Sequence, residues 1–248
     1  MFATTAHSSV TVLIFISKEN AMLAIPGRCW LCRLPLARPT WGICSCCTAS
    51  LLQPLACCLQ CGLPALSGHL PCGRCLQRAP EWDAIAYVTD YLPPLSTLIH
   101  HLKFTGTPSL APALARLLLL RILAASREGR LHLPDAILSV PLHHTRAWRR
   151  GYNQSALIAT PLSRWLGLEH YPSAIKRIRA SPAQHTLTAK ERKRNLKGIF
   201  RVEIPVAGRH MAIVDDVVTT GSTVAEIARL LKRQGAATVQ VWCLCRTL

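Results

Sequence analysis

The sequence of 248 residues predicts an α/β fold, a mostly parallel sheet with flanking helices, preceded by a small cysteine-rich module. Three observations lead there. Ten of the twelve cysteines crowd into residues 29–75, in four C-x-x-C pairs. Beyond them, short apolar runs alternate with segments of helical spacing, the order that builds a parallel sheet covered on both faces. Half of the residues are apolar, enough for a core and too many for a disordered chain.

The cysteine pairs are Cys29/Cys32, Cys44/Cys47, Cys58/Cys61 and Cys72/Cys75, with gaps of eleven, ten and ten residues between them. A C-x-x-C turn aims two thiolates at one point, and two such turns complete a tetrahedral site for Zn²⁺. Eight ligands make two structural zinc sites. A segment this short buries little apolar surface, so bound metal supplies its folding energy. Sequential pairing is the simplest assignment, and an interleaved one is also compatible with the spacing. Cys46 and Cys57 adjoin ligand positions and can exchange with Cys47 and Cys58. His69 is a further candidate, with a solvated histidine as the plainer reading. Gly62 and Gly73, each beside a ligand cysteine, suit tight knuckle turns. Thiolate-rich zinc sites, unlike a disulfide scaffold, point to the reducing cytoplasm.

The remaining elements follow in order. Glu81–Tyr91 alternates as a strand. Leu95–Phe104 and Leu110–Ser126 have helical spacing. Ala136–Val140 is a buried strand. Asn153–Leu166 is a helix that Pro161 kinks or divides. Ala174–Ile178 and Ile199–Val202 are further strands, and Met211–Val214 is the clearest core strand. Ser222–Gln234 is a helix stopped by Gly235. Thr238–Cys245 closes the chain as a strand, with Cys243 and Cys245 as packing residues. No apolar run reaches the length of about 18 residues needed to cross a bilayer; the closest are Val10–Ile16 and Leu117–Leu123, the second interrupted by Arg121, so no membrane insertion is expected. Residues 1–21 read as a disordered extension or a start placed too early, 22–80 as the zinc module and 81–248 as the α/β domain.

The formal charge is +17, from 29 basic and 12 acidic residues. Thirteen Lys or Arg fall within residues 141–201, against Glu169 and Glu191 as the acids there. Such a balance favours polyanionic partners: nucleic acid, nucleotides or phosphorylated sugars.

In parallel sheets, ligands bind beyond the carboxyl ends of the strands. Three loops qualify. After the Met211 strand comes "VDDVVTTGST", where Asp215 and Asp216 precede a turn of Thr219, Thr220, Gly221, Ser222 and Thr223 at a helix start. Backbone N–H groups and hydroxyls there suit a phosphate monoester. The two acids suit sugar hydroxyls or Mg²⁺ held through water. After Val140 comes "PLHHTRAWRRG", a basic loop whose Arg146, Arg149 and Arg150 suit an anionic group; in the phosphoribosyltransferases that "VDDVVTTGST" resembles, the loop at this point takes pyrophosphate. Arg177–Asn195 is a basic, polar loop that resembles the closing hood of that family, with a nucleic-acid arm as the alternative. Lys103, in "HHLKF", is a candidate near the site.

The stretch "VDDVVTTGST" resembles the ribose-phosphate loop of type I phosphoribosyltransferases. That resemblance implies that Asp215 and Asp216 take the ribose hydroxyls of phosphoribosyl pyrophosphate, bound with Mg²⁺, and that the turn takes its 5′-phosphate. Together with "CWLC", "WGICSCC", "PCGRCLQ", "LIHHLKF", "RRGYNQS", "QHTLTAKERKRNLKG" and "VQVWCLCRTL", it makes the chain similar to the ComF family, particularly its GntX branch. The resemblance implies a double zinc ribbon, a phosphoribosyltransferase-like fold, and a role in handling DNA, through competence or use of DNA as a nutrient. Partners so implied are phosphoribosyl pyrophosphate or a related phosphosugar, single-stranded DNA and DNA-processing proteins. Residues 1–21 have no counterpart in the family pattern. Whether the pocket serves a transferase or a non-catalytic binding protein stays open from sequence, because no acceptor site can be named.

Overall fold

The computed structural model describes residues 27–53, 56–65, 70–142, 150–178 and 198–247. Its strands are β1 (Ala84–Asp90), β2 (Ala136–Ser139), β3 (Glu169–Tyr171), β4 (Ile175–Arg177), β5 (Phe200–Val202), β6 (His210–Val218) and β7 (Thr238–Arg246). Its α-helices are α1 (Ser45–Leu51), α2 (Gly73–Gln77), α3 (Leu95–Phe104), α4 (Ala111–Arg127), α5 (Gln154–Leu166) and α6 (Ser222–Arg233). Five strands form a parallel sheet in the order β1-β7-β6-β2-β3, and β4 pairs antiparallel with β5 in a separate hairpin.

Met211, Ala212, Ile213 and Val214 are fully buried, as the apolar run in β6 requires of a strand covered on both faces. Met211 and Ile213 face one layer, where α6 packs through Val224, Ile227, Ala228 and Leu231. Ala212 and Val214 face the other, built from α3, α4 and α5. Trp242 of β7 is the largest side chain with no exposure, and it sits in that second layer. Burying each such side chain contributes roughly 1.5–3 kcal/mol.

Helix α4 with its preceding turn, Pro108–Arg127, is long and apolar enough by composition to cross a membrane. Half of it is buried inside the protein, with Leu114, Leu117, Leu118 and Ile122 in the core. Arg121, the charge within its apolar run, donates to the carbonyls of Gln53 (3.0 Å) and Val88 (2.8 Å), tying the helix to the cysteine module and to β1.

The cysteine module is an internal repeat, legible as C-x-x-C-x-L-P at Cys29 and again at Cys58. Cys29 N–H donates to Leu34 (2.9 Å) and Cys58 N–H to Leu63 (2.8 Å). Arg33 and Gly62, at matching places, both take positive φ, 64° and 71°. The second C-x-x-C of each repeat opens a short helix, α1 after Cys44 and α2 after Cys72.

Four sequence expectations change. Strand β6 runs to Val218, so Asp215 and Asp216 lie within it, paired along β7 up to Val218 opposite Arg246. Gly73 does not form a left-handed turn; it is the first residue of α2. Glu169–Tyr171 adds an edge strand that the sequence pattern did not mark. Helix α5 runs unbroken through Pro161. His69 and residues 1–26 lie outside the described residues.

Candidate functional site

The connections out of β2 and β6 leave in opposite directions, towards β3 and β7. Their loops therefore share one crevice at the carboxyl edge of the sheet, the usual ligand position in such folds. The two acids sit at that edge. Consecutive strand residues point to opposite sides, so the carboxylates have different neighbours.

Asp216 is buried at 4% exposure, and Lys103 Nζ, in the last turn of α3, is 2.9 Å from its Oδ1. Among the described residues, its Oδ2 is buried with no hydrogen-bond partner. A buried charge needs pairing, and Lys103 supplies it on one oxygen while the other stays available. Asp215 is half-buried; its Oδ1 accepts from Ser155 Oγ (3.1 Å) and from the Asp216 N–H (2.9 Å). Burial, followed by the neighbouring Asp216 charge, pushes the Asp215 carboxyl up to about 7, against the opposing pull of Lys103 and the two donors. Ser155 is held by the start of α5, where Asn153 caps the helix by accepting from Ser155 N–H (3.0 Å) and donates to Val140 O (3.0 Å).

Beyond the acids, Thr219 and Thr220 are exposed and Thr220 Oγ1 lies 2.8 Å from Ser222 Oγ. Gly221 caps α6 at φ 74°, and the first N–H groups of a helix have no partner inside it. A Cβ on Gly221 would lie 2.7 Å from the ring of Trp82. Glycine is thus required twice, by conformation and by space. Gly221→Ala is expected to cost about 1–3 kcal/mol and to displace the turn, measurable as a lowered melting temperature.

Of the three arginines predicted for pyrophosphate, Arg150 is described. Its Nη1 donates to Gln154 Oε1 (2.6 Å), and its guanidinium lies 5.4 Å from the centre of the exposed Phe104 ring. Arg146 and Arg149 lie outside the described residues, as does most of the Arg177–Asn195 loop.

The cysteines form two clusters, Cys29/Cys32/Cys44/Cys47 and Cys58/Cys61/Cys72/Cys75, with sulfurs all within 4.8 Å of one another in each. Pairing is therefore sequential, and Cys46 and Cys57 stand outside. Sulfur separations of 3.7 Å (Cys32–Cys44), 3.8 Å (Cys58–Cys75) and 3.6 Å (Cys61–Cys72) match the edge of about 3.8 Å that a tetrahedron with Zn–S near 2.3 Å requires. Backbone N–H groups of Cys44 and Cys72 point at the sulfurs of Cys29 (3.4 Å) and Cys58 (3.3 Å). Burial opposes ionisation of Cys29, but three N–H donors outweigh it and hold the thiol down to about 6. Burial and its three cluster neighbours push Cys47 up to about 12. Four thiolates coexist there once a cation neutralises them.

Ser155, Trp82 and Arg246 complete the site and were not singled out from sequence. Arg246 had a visible signal, a charge ending the apolar run "VQVWCLC".

A family model described as a phosphoribosyl transferase domain matches residues 154–248. The chain is 62% identical over 227 residues to the DNA utilization protein YhgH of Shigella flexneri, covering 92% of this chain and 100% of that protein. It is 41% identical over 224 residues to Competence protein F of Haemophilus influenzae, covering 88% and 96%. Among solved structures, a purine phosphoribosyltransferase from Pyrococcus horikoshii matches over 54% of this chain and 73% of its own, at 21% identity and TM-score 0.32. The chain belongs to the family of these DNA utilization and competence proteins, the ComF family in its GntX-like branch, which carries a phosphoribosyltransferase-type domain.

Proposed function

We propose that this chain binds phosphoribosyl pyrophosphate with Mg²⁺ and acts in the uptake of DNA or its use as a nutrient, in the cytoplasm. The observation that carries the binding is the acid pair beside the turn. Asp216 keeps a buried carboxylate oxygen without a donor, and Asp215 sits at the same strand end, next to a glycine-bearing helix start. Ribose hydroxyls supply the missing donors, and Thr219, Thr220, Ser222 and Thr223 with their N–H groups receive the 5′-phosphate. Arg146, Arg149 and Arg150 take the pyrophosphate, since guanidinium forks bind it bidentately. Mg²⁺ held by one or two carboxylates and substrate phosphates would neutralise charge there. Zn²⁺ fills both cysteine clusters, in a module of residues 22–80 ahead of the domain at 81–248. The DNA role rests on the names of the relatives.

Affinity should follow the protonation of Asp215. A carboxyl raised to about 7 is mostly neutral below that pH, and a neutral carboxyl accepts from hydroxyls roughly half as strongly and loses its charge attraction for Mg²⁺. Binding is expected to weaken as pH falls through 7, approaching tenfold per unit, and Asp215→Asn should flatten that part of the profile. Stability of the free chain has the opposite sense: it declines as pH rises from the ordinary carboxylate value of 3.8 towards 7, because the ionised form is the buried one that costs. Calorimetric titrations between pH 6 and 8 on both proteins measure the first effect. Protonation of the ligand phosphate near pH 6 is common to both and cancels in the comparison.

A second reading, recognition of single-stranded DNA, is favoured by Phe104. Tyr152 turns inward and donates to Leu102 O. Phe104 instead stands 66% exposed, beside His100 (4.7 Å between rings) and under Arg150. Base stacking on such an aromatic contributes roughly 1–3 kcal/mol per base. Phe104→Ala should weaken single-strand binding by about tenfold in fluorescence anisotropy; equal affinity would remove the platform from this reading.

A further inference from the structure

The knuckle of the second cysteine cluster is bonded to the α/β part at four consecutive carbonyls. Ile85 N–H donates to Leu59 O (2.9 Å), Trp82 Nε1 to Gln60 O, Arg246 Nε to Cys61 O (3.1 Å) and Tyr87 Oη to Gly62 O (2.8 Å). Two of these donors also hold the turn at 219–223. Arg246 Nη1 donates to Val218 O (2.9 Å) and to Thr219 O. The Trp82 ring fills the space against Gly221. The first cluster has no such link among the described residues: it leans on α4, where Arg116 donates to Ile43 O (3.2 Å).

Arg246 is 6% exposed and has no carboxylate within ion-pair distance among the described residues. A buried guanidinium surrounded by carbonyls alone is costly. Four thiolates on a dication carry a net charge of −2, so a metal-filled second cluster provides the missing counter-charge through the Cys61 knuckle.

We infer that the second cysteine cluster is a buttress of the 219–223 turn, and that Arg246 is the positioning residue joining the two, so metal occupancy at Cys58/Cys61/Cys72/Cys75 sets how well that turn is ordered. The first cluster does not share this role. The functional meaning rests on the proposed phosphate-binding role of the turn; the coupling itself does not. Coupling of this kind is reciprocal: an anion seated in the turn slows metal loss from the second cluster.

The test uses the full metal-loaded chain. Hydrogen exchange is followed on peptides covering 217–225, and metal release to a chromogenic chelator is timed with and without inorganic phosphate. Arg246→Met is expected to raise exchange in those peptides at least tenfold and to speed release of one metal equivalent of the two. Cys61→Ser should raise the same exchange, and Cys32→Ser should leave it within twofold of wild type. If Arg246→Met does not fold, Trp82→Phe, which deletes the donor to Gln60 and the outer ring atoms that reach Gly221, must raise exchange in the same peptides by at least threefold. Unchanged exchange in folded Arg246→Met or in Trp82→Phe, or an equal effect of Cys32→Ser, overturns the inference. Exchange needs no sugar ligand, so a failure of phosphoribosyl pyrophosphate to bind leaves this result readable.

Discussion

The double variant Asp215→Asn/Asp216→Asn is expected to lose affinity for phosphoribosyl pyrophosphate by at least about 100-fold while remaining folded. A hydrogen bond to a charged acceptor contributes roughly 1.5–3 kcal/mol, and two such bonds correspond to about 10² to 10⁴ in affinity. The fold survives for a reason visible at the site. Lys103, left without Asp216, is still 19% exposed through its side chain and can reach water, so little of the roughly 3–5 kcal/mol for an orphaned buried charge is incurred. Replacing Asp215 removes a like-charge neighbour, which offsets part of the remainder. Calorimetry reports the lost affinity and a melting curve reports the retained fold.

Removal of both metal ions is expected to unfold residues 27–80, with a smaller effect on the sheet. Structural zinc contributes about 10–16 kcal/mol in small zinc modules, comparable to or above the whole stability of an ordinary domain, about 5–15 kcal/mol. The module's own core is small: beyond the cysteines, Leu36, Ile43 and Leu51 are the buried aliphatic residues among those described, and they lean on α4. Metal analysis after anaerobic purification should give two equivalents of zinc, and Cys29→Ser/Cys44→Ser should give one. Well under two equivalents in the wild type contradicts the assignment. So does an apo chain whose exchange protection in 27–80 equals that of the loaded one.

Much of this molecule could be read from its residues. The four C-x-x-C pairs named the eight thiols that converge, because local turn geometry fixes each pair. They left open which pairs meet and whether Cys46 or Cys57 takes part, since that depends on tertiary contacts between repeats. The parallel sheet was legible in alternating apolar runs, and Leu95–Phe104 was delimited to the residue. The end of β6 was misplaced because two aspartates have low strand propensity; pairing with Cys243, Cys245 and Arg246 of β7 carries the strand past them. Lys103 was marked from sequence as a candidate near the site, whereas Ser155, Trp82 and Arg246 join the acids and the turn from three separate segments. No local pattern relates them, so their meeting is a property of the fold. The basic loops remain expectations, since Arg146, Arg149 and residues 179–197 lie outside the described structure.

Calorimetric titration of phosphoribosyl pyrophosphate with Mg²⁺ into the wild-type chain at pH 8 tests the central claim most directly. The account predicts a saturable one-to-one isotherm that disappears in Asp215→Asn/Asp216→Asn. Absence of binding by the wild type at millimolar ligand, or an isotherm unchanged in the double variant, would contradict it.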